Sequence, residues 1–158
     1  MRKAFPSAAF VLAGVILLSQ PAAAQATSFL LLPGIAGEAQ DRDHKNWIEV
    51  IGVSWGGGSK APTAAARPGW LIIIKRTDRT SSSIKGKAAG KQRLAEVTLE
   101  TPGTGRDGTS GTWTYKLTDV TITSYKPASG SMIPQESVTL SYKKISVTDS
   151  AQAKSPAG

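Results

Sequence analysis

Two segments near the C-terminal end of this chain alternate apolar and polar residues, and each changes phase once. In TWTYKLTDVTITSY, residues 112–125, Trp113, Tyr115 and Leu117 are odd-numbered, whereas Val120 and Ile122 are even-numbered. In SVTLSYKKISV, residues 137–147, the even set Val138, Leu140 and Tyr142 gives way to Ile145 and Val147. Successive side chains of a strand point to opposite faces, so a phase change means one extra residue. A β-bulge or bend is therefore expected at Thr118-Asp119 and at Lys143-Lys144. Long strands that bend midway can serve two packed layers, as at the corners of small barrels and orthogonal sandwiches. The expected fold is mainly β: a small β-barrel of two packed sheets, about six or seven strands, with one short flanking α-helix.

The remaining segments fit that frame. NWIEVIGVSW, residues 46–55, is apolar on both faces, as in a strand covered on both sides. GGGSKAPTAAARPG, residues 56–69, is a long loop of small residues, a type that is usually functional or mobile. WLIIIKRT, residues 70–77, reads as a buried strand. Residues 78–91 break the alternation and are the one place for a helix, with Asp78, Thr80 or Ser81 as N-cap and Gly90 as C-cap. Gly86 and the serines lower its propensity, so it needs tertiary support. QRLAEVTLETPG, residues 92–103, is a further strand, and Asp107-Gly108 marks a hairpin turn after it.

The first residues have the layout of a secretory signal peptide: Arg2 and Lys3, an apolar run from Ala8 to Leu18, then small residues. The run is well short of the roughly 20 residues a membrane-spanning helix needs, so cleavage is expected, with no transmembrane anchor left behind. Ala22-Ala23-Ala24 and Ala24-Gln25-Ala26 both fit the cleavage rule, and the mature chain begins at Gln25 or Thr27. The expected organisation is a leader over 1–26, one β-barrel domain over 27–150 and a flexible tail over 151–158. The product is secreted or periplasmic. Without a single cysteine, it must hold together by packing and hydrogen bonds.

Loss of Arg2 and Lys3 takes the formal charge from +8 to +6. Lys75, Arg76, Arg79, Lys85, Lys87, Lys91 and Arg93 crowd one window in which only Asp78 opposes them. Such a window can be a patch for anionic ligands or simply a solvated basic face. His44, flanked by Asp41 and Asp43, has the residue types of a metal or acid–base group. DRDHK lacks the glycine and later glutamate of a calcium loop, however, and one histidine without cysteine cannot build the usual zinc set. The plainer reading is a polar loop before a strand, with the aspartates capping backbone donors and His44 near an interface. No serine-hydrolase elbow, metalloprotease helix or phosphate loop is present. Trp47, Trp55, Trp70 and Trp113 fall at strand positions, where packing is their ordinary role. No catalytic residue, metal site or cofactor is predicted.

GIAGEAQDRDHKNWIEVIGVSWG, residues 34–56, resembles the N-terminal signature of the Hcp (haemolysin-coregulated protein) family of bacterial type VI secretion systems. The matching elements are Gly37-Glu38, Asp41 to His44, Trp47 to Val50 and Ser54 to Gly56, followed in order by WLIIIKRTDRTS, AEVTLE, YKLTDVTITSY and ESVTLSYKKISVT. The resemblance runs from Ser28 to about Asp149. It implies a β-barrel with a flanking helix that assembles with itself into hexameric rings, which stack into a tube. It also implies a conduit, carrier or chaperone for effectors, with other type VI components as partners and no enzymatic activity, small-molecule substrate or nucleic acid. Asp41, Asp43, His44, Trp47, Gly56, Gly57 and Gly58 then become interface candidates. Ordinary tube subunits lack a leader, and this chain departs from them by carrying one. An exported binding module for anionic ligands, using residues 75–93, is the alternative.

Overall fold

The computed structural model describes residues 27–56, 69–104, 108–128, 130 and 132–150. The predicted leader, Gly57 and Gly58 with most of their loop, Asp107 and the C-terminal tail fall outside the described residues. In chain order the elements are β1 (Ser28–Leu31), β2 (Ile48–Val50), β3 (Gly52–Trp55), β4 (Gly69–Arg76), α1 (Ser81–Ala89), β5 (Arg93–Thr104), β6 (Ser110–Ala128), β7 (Gln135–Tyr142) and β8 (Lys144–Asp149).

All eight strands join one antiparallel sheet in the order β2-β1-β5-β6-β7-β4-β3, with β8 also paired to β6. The hydrogen-bonded path does not close into a barrel. Its two ends, β2 and β3, are consecutive in the chain and separated only by Ile51, so the backbone itself brings the two edges of the sheet together. At that point the Ile51 amide donates to the Ile74 carbonyl at 2.7 Å.

Both predicted bends are present. Asp119 takes a left-handed conformation (φ 59°) inside β6, and Lys143 separates β7 from β8. The Lys143 amide donates to the Thr118 carbonyl, so the two bends lie side by side. As a result the first part of β6, Trp113–Thr118, pairs with β8, and the later part, Thr121–Ala128, pairs with β7. The phase change keeps Tyr115, Leu117, Val120 and Ile122 all buried, and likewise Val138, Leu140, Tyr142 and Ile145.

The segment around Ile51 departs from the expectation of one strand covered on both faces. Ile48 and Val50 are buried, whereas Val53 and Trp55 pack against the core from the opposite parity. Ile51, where the phase changes, is 48% exposed. A third bend, not a second covering layer, explains why both parities are apolar. Trp55 reaches Tyr115 and Tyr142, with ring centroids 4.9 and 6.5 Å away. β4 also differs from a fully buried strand: Leu71 and Ile73 are sealed, but Trp70 and Ile74 on its other face are 49% and 38% exposed.

The helix is where the sequence places it, and it is held by tertiary contacts. Nine residues are too few to be stable alone. Ile84 is fully buried in the core. Thr80 sits at the N-cap position but makes no side-chain cap bond; its amide (2.8 Å) and hydroxyl both donate to Asp78 Oδ1. At the other end Gly90 has ordinary right-handed angles, and Lys91 takes the left-handed turn (φ 48°). The amides of Gln92 and Lys91 return to the carbonyls of Lys87 and Ala88, the pairing of a Schellman motif.

Candidate functional site

The loop from Gly37 to Trp47 is a narrow turn-back. The amides of Gly37, Ala39 and Asn46 donate to the carbonyls of Asn46, Trp47 and Ala39, at 2.7, 3.0 and 3.0 Å. A Cβ on Gly37 would collide with the Trp47 carbonyl, which explains the glycine. Asn46 supplies the left-handed residue the turn needs (φ 64°). Arg79, from the turn before α1, donates to the Gly37 carbonyl at 2.6 Å and pins the loop to the sheet.

This turn lays His44 flat on the outer face of β1. Its ring stacks on Phe29 at 4.2 Å and 4°, and the Trp47 indole meets it edge-on at 5.0 Å. Nε2 lies 2.6 Å from Glu100 Oε2 and Nδ1 lies 3.3 Å from Asp41 Oδ2. Glu100 comes from β5, directly across from Phe29. Desolvation alone would lower the His44 pKa, but hydrogen bonds and charge from Glu100 and Asp41 outweigh it and raise it above the ordinary 6.5. With a carboxylate at each nitrogen, the imidazolium form donates at both ends. Such a ring is a clamp between loop and sheet; neither nitrogen is presented to a substrate as a free base.

Of the predicted interface residues, Asp41, His44 and Trp47 are brought together, while Asp43 is exposed beside them. Sequence reasoning missed Glu100 and Phe29. The alternation of β5 places Glu100 opposite in parity to buried Leu99, but nothing local names its partner. Gly56 lies apart from the clamp: its amide donates to the Trp70 carbonyl at 2.9 Å, and the Trp70 indole occupies the space a Cβ would need.

The basic window is divided. Lys75 is fully buried, a correction to its place in an accessible patch. Its ammonium donates to Glu136 Oε1 (2.6 Å), the Arg76 carbonyl (2.8 Å) and Asp78 Oδ1 (3.0 Å), which uses all three of its protons. Glu136, also fully buried, further accepts from Ser81 Oγ (2.9 Å) and the Tyr125 hydroxyl (2.7 Å). Burial would raise the Asp78 pKa, but hydrogen bonds from Thr80 and Lys75 hold it below its usual value. The hydrogen bond to Glu136, with burial, raises that of Tyr125. Arg79 pairs with Glu38 (3.6 Å) and Arg93 with Asp119 (2.9 Å). Lys87 is half-buried and donates to Gln92. Arg76, Lys85 and Lys91 are exposed and form no ion pair among the described residues.

The family described as type VI secretion system effector, Hcp, matches residues 29–148. The chain belongs to the Hcp family. Among solved structures, Hcp2 from Salmonella typhimurium is 26% identical with a TM-score of 0.62, covering 80% of this chain and 88% of that one. A type VI secretion system effector from Yersinia pestis, also 26% identical with a TM-score of 0.62, covers 82% of this chain and 93% of its own. A structure described as a type six secretion system protein is 28% identical, with a TM-score of 0.61 and coverages of 77% and 82%. A search of curated proteins gives no match. The clamp lies wholly inside the matched span. It is therefore part of an Hcp scaffold in a type VI secretion protein, a family whose members are structural and secreted.

Proposed function

We propose that this Hcp protein is an exported, non-enzymatic ring subunit whose copies assemble as a hexamer and carry or chaperone secreted proteins. The observation that supports it is the outer face of β4. Trp70, Ile72 and Ile74, with Ile51 beside them, form an apolar strip on a face that an antiparallel sheet ordinarily gives to water. Contiguous exposed apolar surface marks an interaction site. Here we assign it to a second copy of the chain. Export is supported by Arg2, Lys3, the apolar run to Leu18 and the alanine-rich cleavage region. The alternative, an anionic-ligand patch, has fewer free charges than the sequence offers, because Lys75 is sealed and Arg79 and Arg93 are paired.

The test is the native mass of the chain from Thr27 onward, by light scattering or native mass spectrometry across a concentration series. The expected mass is that of about six subunits, a closed ring of identical copies. Ile74→Glu, with unchanged circular dichroism, is expected to release monomers. A stable monomer of the parent chain ends the ring reading. Attention then turns to salt-dependent heparin retention by Lys85 and Lys91.

A further inference from the structure

Where the sheet opens at Ile51, a cavity of about 510 Å³ lies between the start of β1 and the turn after β4, with Thr27, Glu38, Glu49, Ile51, Arg76 and Asp78 in its wall. Three of these carry carboxylates and one a guanidinium. Glu38 is engaged by Arg79, and Asp78 by Lys75 and Thr80. Glu49 and Arg76 are exposed and form no ion pair among the described residues. The cavity therefore holds one uncommitted acid and one uncommitted base. A bare cation would satisfy only the first.

The chain itself supplies a group with both complements. Ser28 is fixed opposite Val50 by the β1–β2 ladder, and Thr27, the residue before it, already lines the cavity. Both cleavage positions read from the sequence, after Ala24 and after Ala26, fall within two residues of Thr27. Two residues of extended chain span only about 7 Å. Hydrolysis of either peptide bond by water, at a signal peptidase, leaves a carboxylate on the released leader and an ammonium on the mature chain. We propose that this cavity is the seat of the mature N-terminus, its α-ammonium against Glu49 and an adjacent backbone carbonyl against Arg76. The proposal rests on the export reading above. It makes leader removal complete the fold: in the precursor the same position carries a neutral amide, which offers Glu49 no charge to pair with.

The test uses protein recovered from the periplasm or medium of expressing cells, whose intact mass first identifies its N-terminal residue. The α-amino pKa is then measured by NMR after isotopic methylation. It is expected about one unit above the ordinary range of roughly 7.7–8.0, because an opposite charge favours the ammonium. Glu49→Gln should return it to that range. Adding Gly-Ser ahead of the mature start should lower the thermal midpoint in the parent and have little effect in Glu49→Gln, since both changes remove one interaction. A cleaved chain with an ordinary α-amino pKa that ignores Glu49→Gln overturns this inference and leaves export standing. An intact leader on the recovered protein overturns both.

Discussion

The His44 and Lys75 assemblies share one geometry and differ in their access to water. In each, a nitrogen lies 2.6 Å from a glutamate oxygen contributed by a distant part of the chain: His44 to Glu100 and Lys75 to Glu136. The His44 pair is 15% and 25% exposed, whereas the Lys75 pair is 0% on both sides. Removing a charge from water costs several kcal/mol, so a sealed pair persists only when every proton and lone pair is matched. That is the condition around Lys75, where three donors meet three acceptors and no buried side-chain polar atom among the described residues is without a partner. The half-open clamp around His44 is under no such demand. Its imidazole pKa is raised, against desolvation, by the two carboxylates, and the clamp governs how a loop lies on the sheet, whereas the sealed pair fixes how β4, β7 and α1 meet.

The largest expected effect comes from breaking the sealed pair on one side. Glu136→Leu leaves Lys75 buried with only Asp78 and a carbonyl, and Ser81 and Tyr125 lose their acceptor. A loss of about 3–5 kcal/mol in urea unfolding is expected. Adding Lys75→Met should restore part of it by removing the stranded charge. Asp78 and Tyr125 keep the recovery incomplete. A single-variant loss under about 1 kcal/mol, the scale of surface pairs, would erase the distinction between the two assemblies.

The clamp should respond to pH, and in the opposite sense from Asp78. Because the folded-state pKa of His44 is raised, its contribution is fully present below the ordinary value of 6.5 and fades as pH rises through the folded value. Asp78 is shifted downward, so its contribution is present above its ordinary 3.8 and fades as pH falls through the folded value. The stability difference between the parent and His44→Gln should be about 1 kcal/mol at mildly acidic pH, after allowance for solvent screening, and shrink on the alkaline side. Chemical denaturation across a pH series measures it. A difference that does not change with pH would mean that His44 contributes by its stacking on Phe29 alone.

Much of this arrangement is legible in the sequence wherever phase can be counted. The flips at Thr118-Asp119 and Lys143-Lys144 locate the left-handed Asp119 and the break at Lys143 to within a residue. The bend at Ile51 is not legible in that way, because Trp47 to Trp55 carry apolar residues on both parities and a phase slip leaves no mark. The sealed pair did leave a mark. Lys75 is in phase with Leu71 and Ile73, and Glu136 with Val138, Leu140 and Tyr142, so two strands each carry one charge, of opposite sign, on their core face. Their register places the two directly opposite each other. Counting the window as seven like charges hides that phase. Glu100 is different in kind: only the pairing of β1 with β5 brings it to His44, and no local pattern encodes it.

A third ionic cluster provides the lower end of the scale. Asp119 pairs with Arg93 at 2.9 Å and Lys143 at 3.2 Å, but the two cations are 66% and 63% exposed. Its position at the paired bends invites the view that these charges hold the bends in place. Energetics favour the opposite order: exposed pairs contribute about 0–1 kcal/mol, whereas the buried apolar residues on either side of the phase change fix the register. Arg93→Ala and Lys143→Ala should each cost no more than about 0.5 kcal/mol and become indistinguishable from the parent in high salt. If unfolding loss follows burial from Glu136 through His44 to Arg93, access to water sets the order. If Arg93→Ala approaches the cost of His44→Gln, the bend is held electrostatically, and position in the fold outranks burial in deciding what an ion pair contributes here.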